Sequence, residues 1–347
     1  MGLNKEPSSL YRHYFLVYLR RRPQQTSFVL ICAFLIIFLR AEWAYFAPRI
    51  FISPTSLHPP DEDRLPLKIR ASEARYQDTL KTRQEMIYRT GPEPSNIEAF
   101  PGDLNLFTVW DFFPPAFNCP HIVERIGALG VGGKWVCGLD KIAEKEDCVV
   151  YSFGSSWESS YEAGLLTRTK YCKMYGYHYD SKKFGPEVRS IDRLGWRTKF
   201  QRFGLSWTDE EPNFRTLPSL MFDNGHDFID LLVIDIEGWE FPALTTVLQS
   251  YAGLTLPFGQ LQVEIHMDGM EFSDFLKWWE ALEAAGLRPF FSEPNMIYHN
   301  LNRGRPDIAQ YSFLNIRGSN AFISNDHYDP SYGRPRPTLK IAGPDGH

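Results

Sequence analysis

A chain of 347 residues that is 43% hydrophobic and 23% charged is too apolar to be mainly disordered, and long enough to bury one large core or two small ones. Its 42 acids against 37 bases give a formal charge of −5, the wrong sign for a sequence-independent nucleic-acid binder. Five cysteines are too few for a disulfide-built mini-scaffold.

The charge is unevenly placed. Residues 1–26 carry Lys5, Arg12, Arg20, Arg21 and Arg22 against Glu6 alone, which leaves −9 on the remainder. From Ser27 to Leu39 there is no charge, and Trp43, Tyr45 and Phe46 follow an interruption at Arg40 and Glu42. About 20 apolar residues cross a bilayer core, so 27–47 spans one with its aromatic end in the headgroup layer and Arg40 snorkelling. A cleaved signal peptide wants a shorter basic lead and small residues at the cut; a buried core helix is the plainer alternative. The arginine cluster favours the anchor. Positive-inside then makes this a single-pass type II protein of the ER or Golgi, with 1–26 cytosolic, 27–47 in the lipid bilayer and the body lumenal.

Residues 48–100 read as a stem, punctuated by Pro48, Pro54, Pro59, Pro60 and Pro66. Within it Leu67 to Arg89 looks helical but lacks a strong apolar stripe, which suits either a spacer or a loosely packed surface helix. The body, 101–325, alternates strand-like and helix-like runs. Cys148 to Phe153 is a strand ending at Gly154, followed by a helix over 158–168. Cys172 to Tyr179 is a second strand and 197–205 a third. Asp230 to Asp235 is a continuous apolar run of the kind buried on both faces, followed by a helix over 242–249. Gln260 to His266 is a strand, Ser273 to Ala285 an amphipathic helix, and 287–291 and 310–315 a final strand pair. Such alternation predicts an α/β doubly wound sheet. Residues 326–347, with four prolines, read as a disordered tail.

Ligands of open parallel sheets bind outside the carboxyl ends of the strands, so those ends hold the candidates. Gly154 permits a tight strand-to-helix turn and close backbone approach. Ser155 with Glu158, and Ser159 with Glu162, have capping-box spacing, which leaves helix capping and a ligand loop both open. Asp180 either accepts ribose hydroxyls or is a solvated turn acid. Asp235 and Glu237 follow a buried strand, where carboxylates are costly unless solvated, paired or metal-bound; Glu237 and Glu240 also suit a helix N-terminus. Glu264 and His266 share one face of the next strand, and an imidazole is the usual base for removing a hydroxyl proton; His178, near Asp180, competes for that role.

Three of these motifs, Val150-Tyr-Ser-Phe-Gly-Ser-Ser156, Ile234-Asp-Ile-Glu-Gly-Trp-Glu240 and Val263-Glu-Ile-His266, resemble the FkbM-related, methyltransferase-like protein 24 type of S-adenosylmethionine-dependent methyltransferases. Upstream, Cys119-Pro, Arg125-Ile-Gly127 and Gly132-Gly-Lys-Trp-Val-Cys137 are similar to that group's entry region, as is Ala309 to Asn315 near the end. The resemblance implies a class I methyltransferase (Rossmann-like) fold: a seven-stranded sheet ending in an antiparallel hairpin. It implies that Tyr151, Phe153, Gly154 and Ser155 line an S-adenosylmethionine pocket, that Asp180 takes the ribose, and that Asp235 stands at the reacting edge. Many such enzymes carry an acid where this chain has Ser152.

Methyl transfer needs an oxygen held in line and help losing its proton; His266 is the expected base, oriented by Glu264 or Glu237. If a divalent metal assists, Asp235, Glu237 and Glu264 offer suitable oxygens. The acceptor is expected to be a hydroxyl-bearing glycan or small molecule, since an acidic body disfavours polyanions; Trp135, Trp157, Trp196, Trp207 and Trp239 would stack a sugar face, or simply pack in the core. A Golgi-type glycosyltransferase using Asp235 and Glu237 is the rival enzyme class, and an inactive binding module the non-enzymatic one. Cys119, Cys137, Cys148 and Cys172 allow three disulfide pairings or four free thiols, and they lack zinc-site spacing. No N-x-[ST] sequon is present.

Overall fold

The computed structural model describes residues 64–102, 106–130, 132–154, 157–210, 212–302 and 306–324. The expected cytosolic tail, the anchor 27–47, the start of the stem, Ser155 and the tail 326–347 lie outside the described residues. Among the described residues no helix is long and apolar enough to cross a membrane.

Helix α1 (Leu65–Thr90) begins with Pro66 in its first turn, where a missing N–H costs nothing. It lacks an apolar stripe because much of its inward face is polar: Tyr76 and Arg83 are buried along with Ile87. The Arg83 guanidinium grips Glu283 through two parallel bonds of 2.9 and 2.8 Å, and its Nε donates to the Phe112 carbonyl at 2.9 Å. Glu283 also accepts from the Tyr76 hydroxyl and from Trp279 Nε1. Glu73 holds Arg288 at 2.7 and 2.8 Å. This helix, read from the sequence as spacer or loose surface element, is therefore ion-paired into the body.

Short helix α2 (Val109–Phe112) leads to an antiparallel hairpin, β1 (Val123–Ile126) and β2 (Lys134–Cys137). The doubly wound part follows: β3 (Val149–Phe153), α3 (Ser160–Arg168), β4 (Lys173–Tyr177), α4 (Pro186–Arg189) and β5 (Thr198–Gln201). A small pair, β6 (Gly204–Leu205) and β7 (Phe214–Arg215), precedes α5 (Leu217–Asn224) and β8 (Ile229–Ile234). Then come α6 (Glu240–Ser250), β9 (Phe258–His266), α7 (Phe272–Ala284), β10 (Leu287–Pro294), α8 (Met296–Asn302) and β11 (Ile308–Asn315). The region expected as one strand over 197–205 is broken, because the Phe203 N–H turns back to the Gln201 carbonyl at 3.0 Å.

Seven strands form one sheet in the order β10-β11-β9-β8-β3-β4-β5. Strands β3, β4, β5, β8 and β9 run parallel, and β11 is antiparallel to both β9 and β10. This matches the expected seven-stranded sheet with its final antiparallel pair. The chain winds outward from β3 to β5, then restarts at β8 on the other side of β3. That reversal opens a crevice at the carboxyl ends of β3 and β8. All six residues of β8 are buried, as a strand covered on both faces requires. Its one acid, Asp230, is held by Lys145 at 3.1 Å and the Val149 N–H at 3.0 Å.

The four body cysteines are paired, Cys119 with Cys137 and Cys148 with Cys172. The second bridge joins the residues just before β3 and β4. The first ties the approach to β1 to the end of β2.

Candidate active site at the strand ends

At the end of β3, Gly154 has φ +105, and a Cβ there would lie 2.1 Å from the Asp235 carbonyl oxygen. Only glycine fits that position. The Asp235 N–H donates to the Phe153 carbonyl and the Gly154 N–H to the Tyr177 carbonyl, both at 3.1 Å. The ends of β4, β3 and β8 are thereby laced together, with Gly154 and Asp235 side by side.

The side chains of Tyr151 and Phe153, expected to line a cofactor pocket, belong instead to the core, because β3 is covered on both faces. The Tyr151 hydroxyl lies 2.7 Å from His226 Nδ1, and Phe153 stacks on Tyr177 at 4.8 Å. The Ser159–Glu162 capping box does not form as spaced, and Ser155 lies outside the described residues. Ser159 gives its N–H and hydroxyl to Glu187 at 2.9 and 3.0 Å, and Glu162 turns inward to accept from the Ser152 hydroxyl at 2.6 Å. A buried carboxylate does stand beside position 152, but it is delivered by α3.

Asp180 is exposed beyond β4, with Arg202 at 3.2 Å. His178 Nδ1 accepts the N–H groups of Asp180 and Ser181, both at 3.1 Å, which shapes this turn. Burial pulls the His178 pKa below the ordinary imidazole value, against the raising charges of Asp180 and Glu237. A neutral ring engaged by two backbone donors is a turn element rather than a rival base.

The Asp235-Ile-Glu-Gly-Trp-Glu240 segment turns through two left-handed residues, Glu237 at φ 53 and Gly238 at φ 102. Glu237 ends exposed, away from the role expected of it, and the turn brings Glu240 back underneath. Glu240 is 0% exposed; its carboxylate accepts from the Ile236 N–H at 3.2 Å and the Gly238 N–H at 3.0 Å, and meets His266 Nδ1 at 2.9 Å. The partner that orients His266 is thus Glu240, not Glu237 or Glu264. Glu264 is buried with its oxygens committed to Asn295 Nδ2 at 3.0 Å and Gln310 Nε2 at 2.9 Å, and stands 3.8 Å from His266 Nε2. Lys134, at the start of β2, reaches in to 3.4 Å from Asp235 Oδ2 and 3.8 Å from Glu264 Oε2.

Burial alone would depress the His266 pKa, but the Glu240 hydrogen bond and the charges of Glu240, Asp235 and Glu264 outweigh it and raise it above the ordinary value. With Nδ1–H donated to Glu240, Nε2 is the atom left to take a proton. The oxygen set Asp235, Glu237 and Glu264 does not assemble. The trio that converges, Asp235, Glu264 and His266 within 4.8 Å, already faces the Lys134 ammonium, and no metal is assigned. Two members of this cluster were not singled out from sequence. Glu240 was visible only as a helix-terminal acid, and Lys134 only as part of a glycine-flanked run.

Residues 78–303 match the family described as "Methyltransferase domain". That is well over half of the chain, and the chain belongs to this methyltransferase-domain family. No curated protein matches it in sequence. Among solved structures, the Methanococcus jannaschii fibrillarin pre-rRNA processing protein is 12% identical, over 49% of this chain and 67% of that one, at a TM-score of 0.32. The StiE O-MT is 13% identical, over 50% and 70%, at 0.31. The plantazolicin methyltransferase BpumL in complex with SAH is 6% identical, over 49% and 76%, at 0.28.

Proposed function

We propose that this protein transfers a methyl group from S-adenosylmethionine to a hydroxyl of a glycan or small-molecule acceptor, as a member of the FkbM-related, methyltransferase-like protein 24 type. The observation that carries the reading is the Glu240–His266 pair, set beside the crevice between β3 and β8 in a methyltransferase-domain chain. The residues fit the cofactor. Gly154 allows the backbone approach its phosphate-free, cationic ligand requires, the exposed Asp180 carboxylate beyond β4 suits a ribose diol, and Asp235 stands on the other side of Gly154, at the end of β8. When bound, S-adenosylmethionine supplies an electrophilic methyl group.

The chain's own work is then to bring the acceptor oxygen into line and to receive its proton. His266 Nε2 takes that proton, and Glu240 fixes the tautomer and steadies the imidazolium that forms. Glu264, held by Asn295 and Gln310, bounds the space beside Nε2. The −9 carried outside residues 1–26 favours a neutral acceptor. The basic lead and apolar run of residues 1–47 support a bilayer tether. Two disulfides support a body in the oxidising lumen of the ER or Golgi. Family membership weighs against the glycosyltransferase reading, as does the engagement of Asp235 by Lys134.

The test is calorimetric titration of the full-length protein in detergent with S-adenosylmethionine, S-adenosylhomocysteine and nucleotide sugars. Saturable binding of the first two is expected. Binding of a nucleotide sugar without either would overturn the reading, and binding of none would leave a non-enzymatic module.

A further inference from the structure

We infer that Lys134 is a positioning residue of this site, holding Asp235 and Glu264 in place and restraining the protonation of His266. The catalytic consequence rests on the methyl-transfer reading; the electrostatic coupling does not. A lysine with 7% of its surface exposed has left water, and it does so here against two carboxylates at 3.4 and 3.8 Å.

Its placement is built, not incidental. The residues before it are packed down: a Cβ on Gly132 would strike the Glu158 carboxylate at 2.0 Å, and one on Gly133 the Arg125 guanidinium at 1.9 Å. After it, the Trp135 carbonyl accepts from Ser312 Oγ at 2.9 Å, and the Gln260 side chain pairs with both the N–H and carbonyl of Cys137. Cys137 is itself bridged to Cys119. Strand β2 is therefore clamped over β9 and β11, and Lys134 enters the cluster from a fixed origin.

The charges that face His266 are Glu240 from α6, Asp235 from the end of β8, Glu264 from β9 and Lys134 from β2, with Asp268 and Asp307 flanking the same strand end. Three inner carboxylates pull a proton onto the imidazole. One fixed ammonium between two of them offsets that pull without touching the ring. Lys134 thus lets Glu240 orient His266 while limiting how firmly the ring holds a proton at Nε2.

The experiment is a pH titration of the His266 ring signals by NMR in full-length, histidine-labelled protein, with the signal assigned by its loss in H266N. Lys134→Met should move the His266 titration upward by about one pH unit, and Lys134→Arg should restore it. Lys134→Gln, which removes the same charge but keeps a polar side chain, should move it upward likewise and serves if K134M does not fold. An unmoved His266 titration in a folded K134M, or in K134Q where K134M does not fold, would overturn the inference. S-adenosylmethionine titration of the wild type separates the two readings. Failure to bind it sinks the methyl-transfer reading, while the His266 shift still reports on Lys134.

Discussion

Replacing Glu240 by Gln tests the centre of the site while changing almost no volume. Its carboxylate accepts the Ile236 and Gly238 N–H groups at 3.0 to 3.2 Å and holds His266 Nδ1 at 2.9 Å. An amide keeps one acceptor oxygen and turns an NH₂ toward a backbone donor. One charge-assisted bond is lost, worth about 1.5–3 kcal/mol. For a body of this size each kcal/mol moves the melting temperature by about 2–4 °C, so a fall of roughly 3–12 °C is expected. Loss of the carboxylate also removes the main force raising the His266 pKa. A reaction needing the neutral ring is lost as pH falls through that raised value, so the acid limb of the pH–activity curve should move to lower pH in E240Q. With a weaker, less ordered base, the plateau should fall by roughly 10²- to 10⁴-fold. The assay is transfer of radiolabelled methyl from S-adenosylmethionine to whatever acceptor the wild type labels in a microsomal extract, with S-adenosylmethionine affinity measured alongside. Wild-type rates and an unmoved pH profile in a folded E240Q would refute the assignment of His266 as an oriented base.

Truncating Glu283 to Ala should cost about 3–5 kcal/mol, because it strands the buried Arg83 guanidinium; the double change with Arg83→Met should recover part of that loss in denaturant titrations. Reducing the Cys148–Cys172 bridge, which closes a loop with a sequence separation of 24, should destabilise by about 3 kcal/mol. Non-reducing peptide mapping should find that pairing and Cys119–Cys137; any other pairing would count against the fold. Gly154→Ala should cost at least about 1–2 kcal/mol from its left-handed backbone alone and abolish S-adenosylmethionine binding by calorimetry. Burial holds the His226 pKa below its ordinary 6.5. The unfolded chain therefore binds that proton first, and stability is lost as pH falls below about 6.5; H226Q should flatten this part of the melting curve measured against pH.

The sheet was legible because β3 and β8 are nearly uninterrupted apolar runs, which signal strands buried on both faces, and because β9 alternates apolar and polar residues at the period of a strand. Hairpin β1–β2 was not, since four-residue strands interleaved with Lys134, Glu124 and Arg125 show neither helical nor strand periodicity. Helix α1 was legible as a helix but not as part of the body, because its attachment runs through Arg83, Tyr76 and Glu73 rather than an apolar face. At the site, Gly154, Asp235 and His266 lie at strand ends and could be located by position alone. The choice among Glu237, Glu240 and Glu264 as the partner of His266 could not, because it depends on φ at Glu237 and Gly238, which sequence spacing does not encode. Lys134 comes from a strand far away in sequence, and only the register of β2 over β9 and β11 brings it in.

The position of β11 bears on how the chain must be made. It is the last of the described strands in sequence, yet it is inserted between β9 and β10, and it supplies the Gln310 amide that fixes Glu264. During synthesis the edge of β9, Phe258–His266, stays unpaired until residues 308–315 have left the ribosome. An unpaired strand edge invites pairing with other chains, so the interval between emergence of β9 and of β11 is one in which a nascent chain is exposed to aggregation. A chain cut before Ile308 would lose both the closing strand and the amide that holds Glu264.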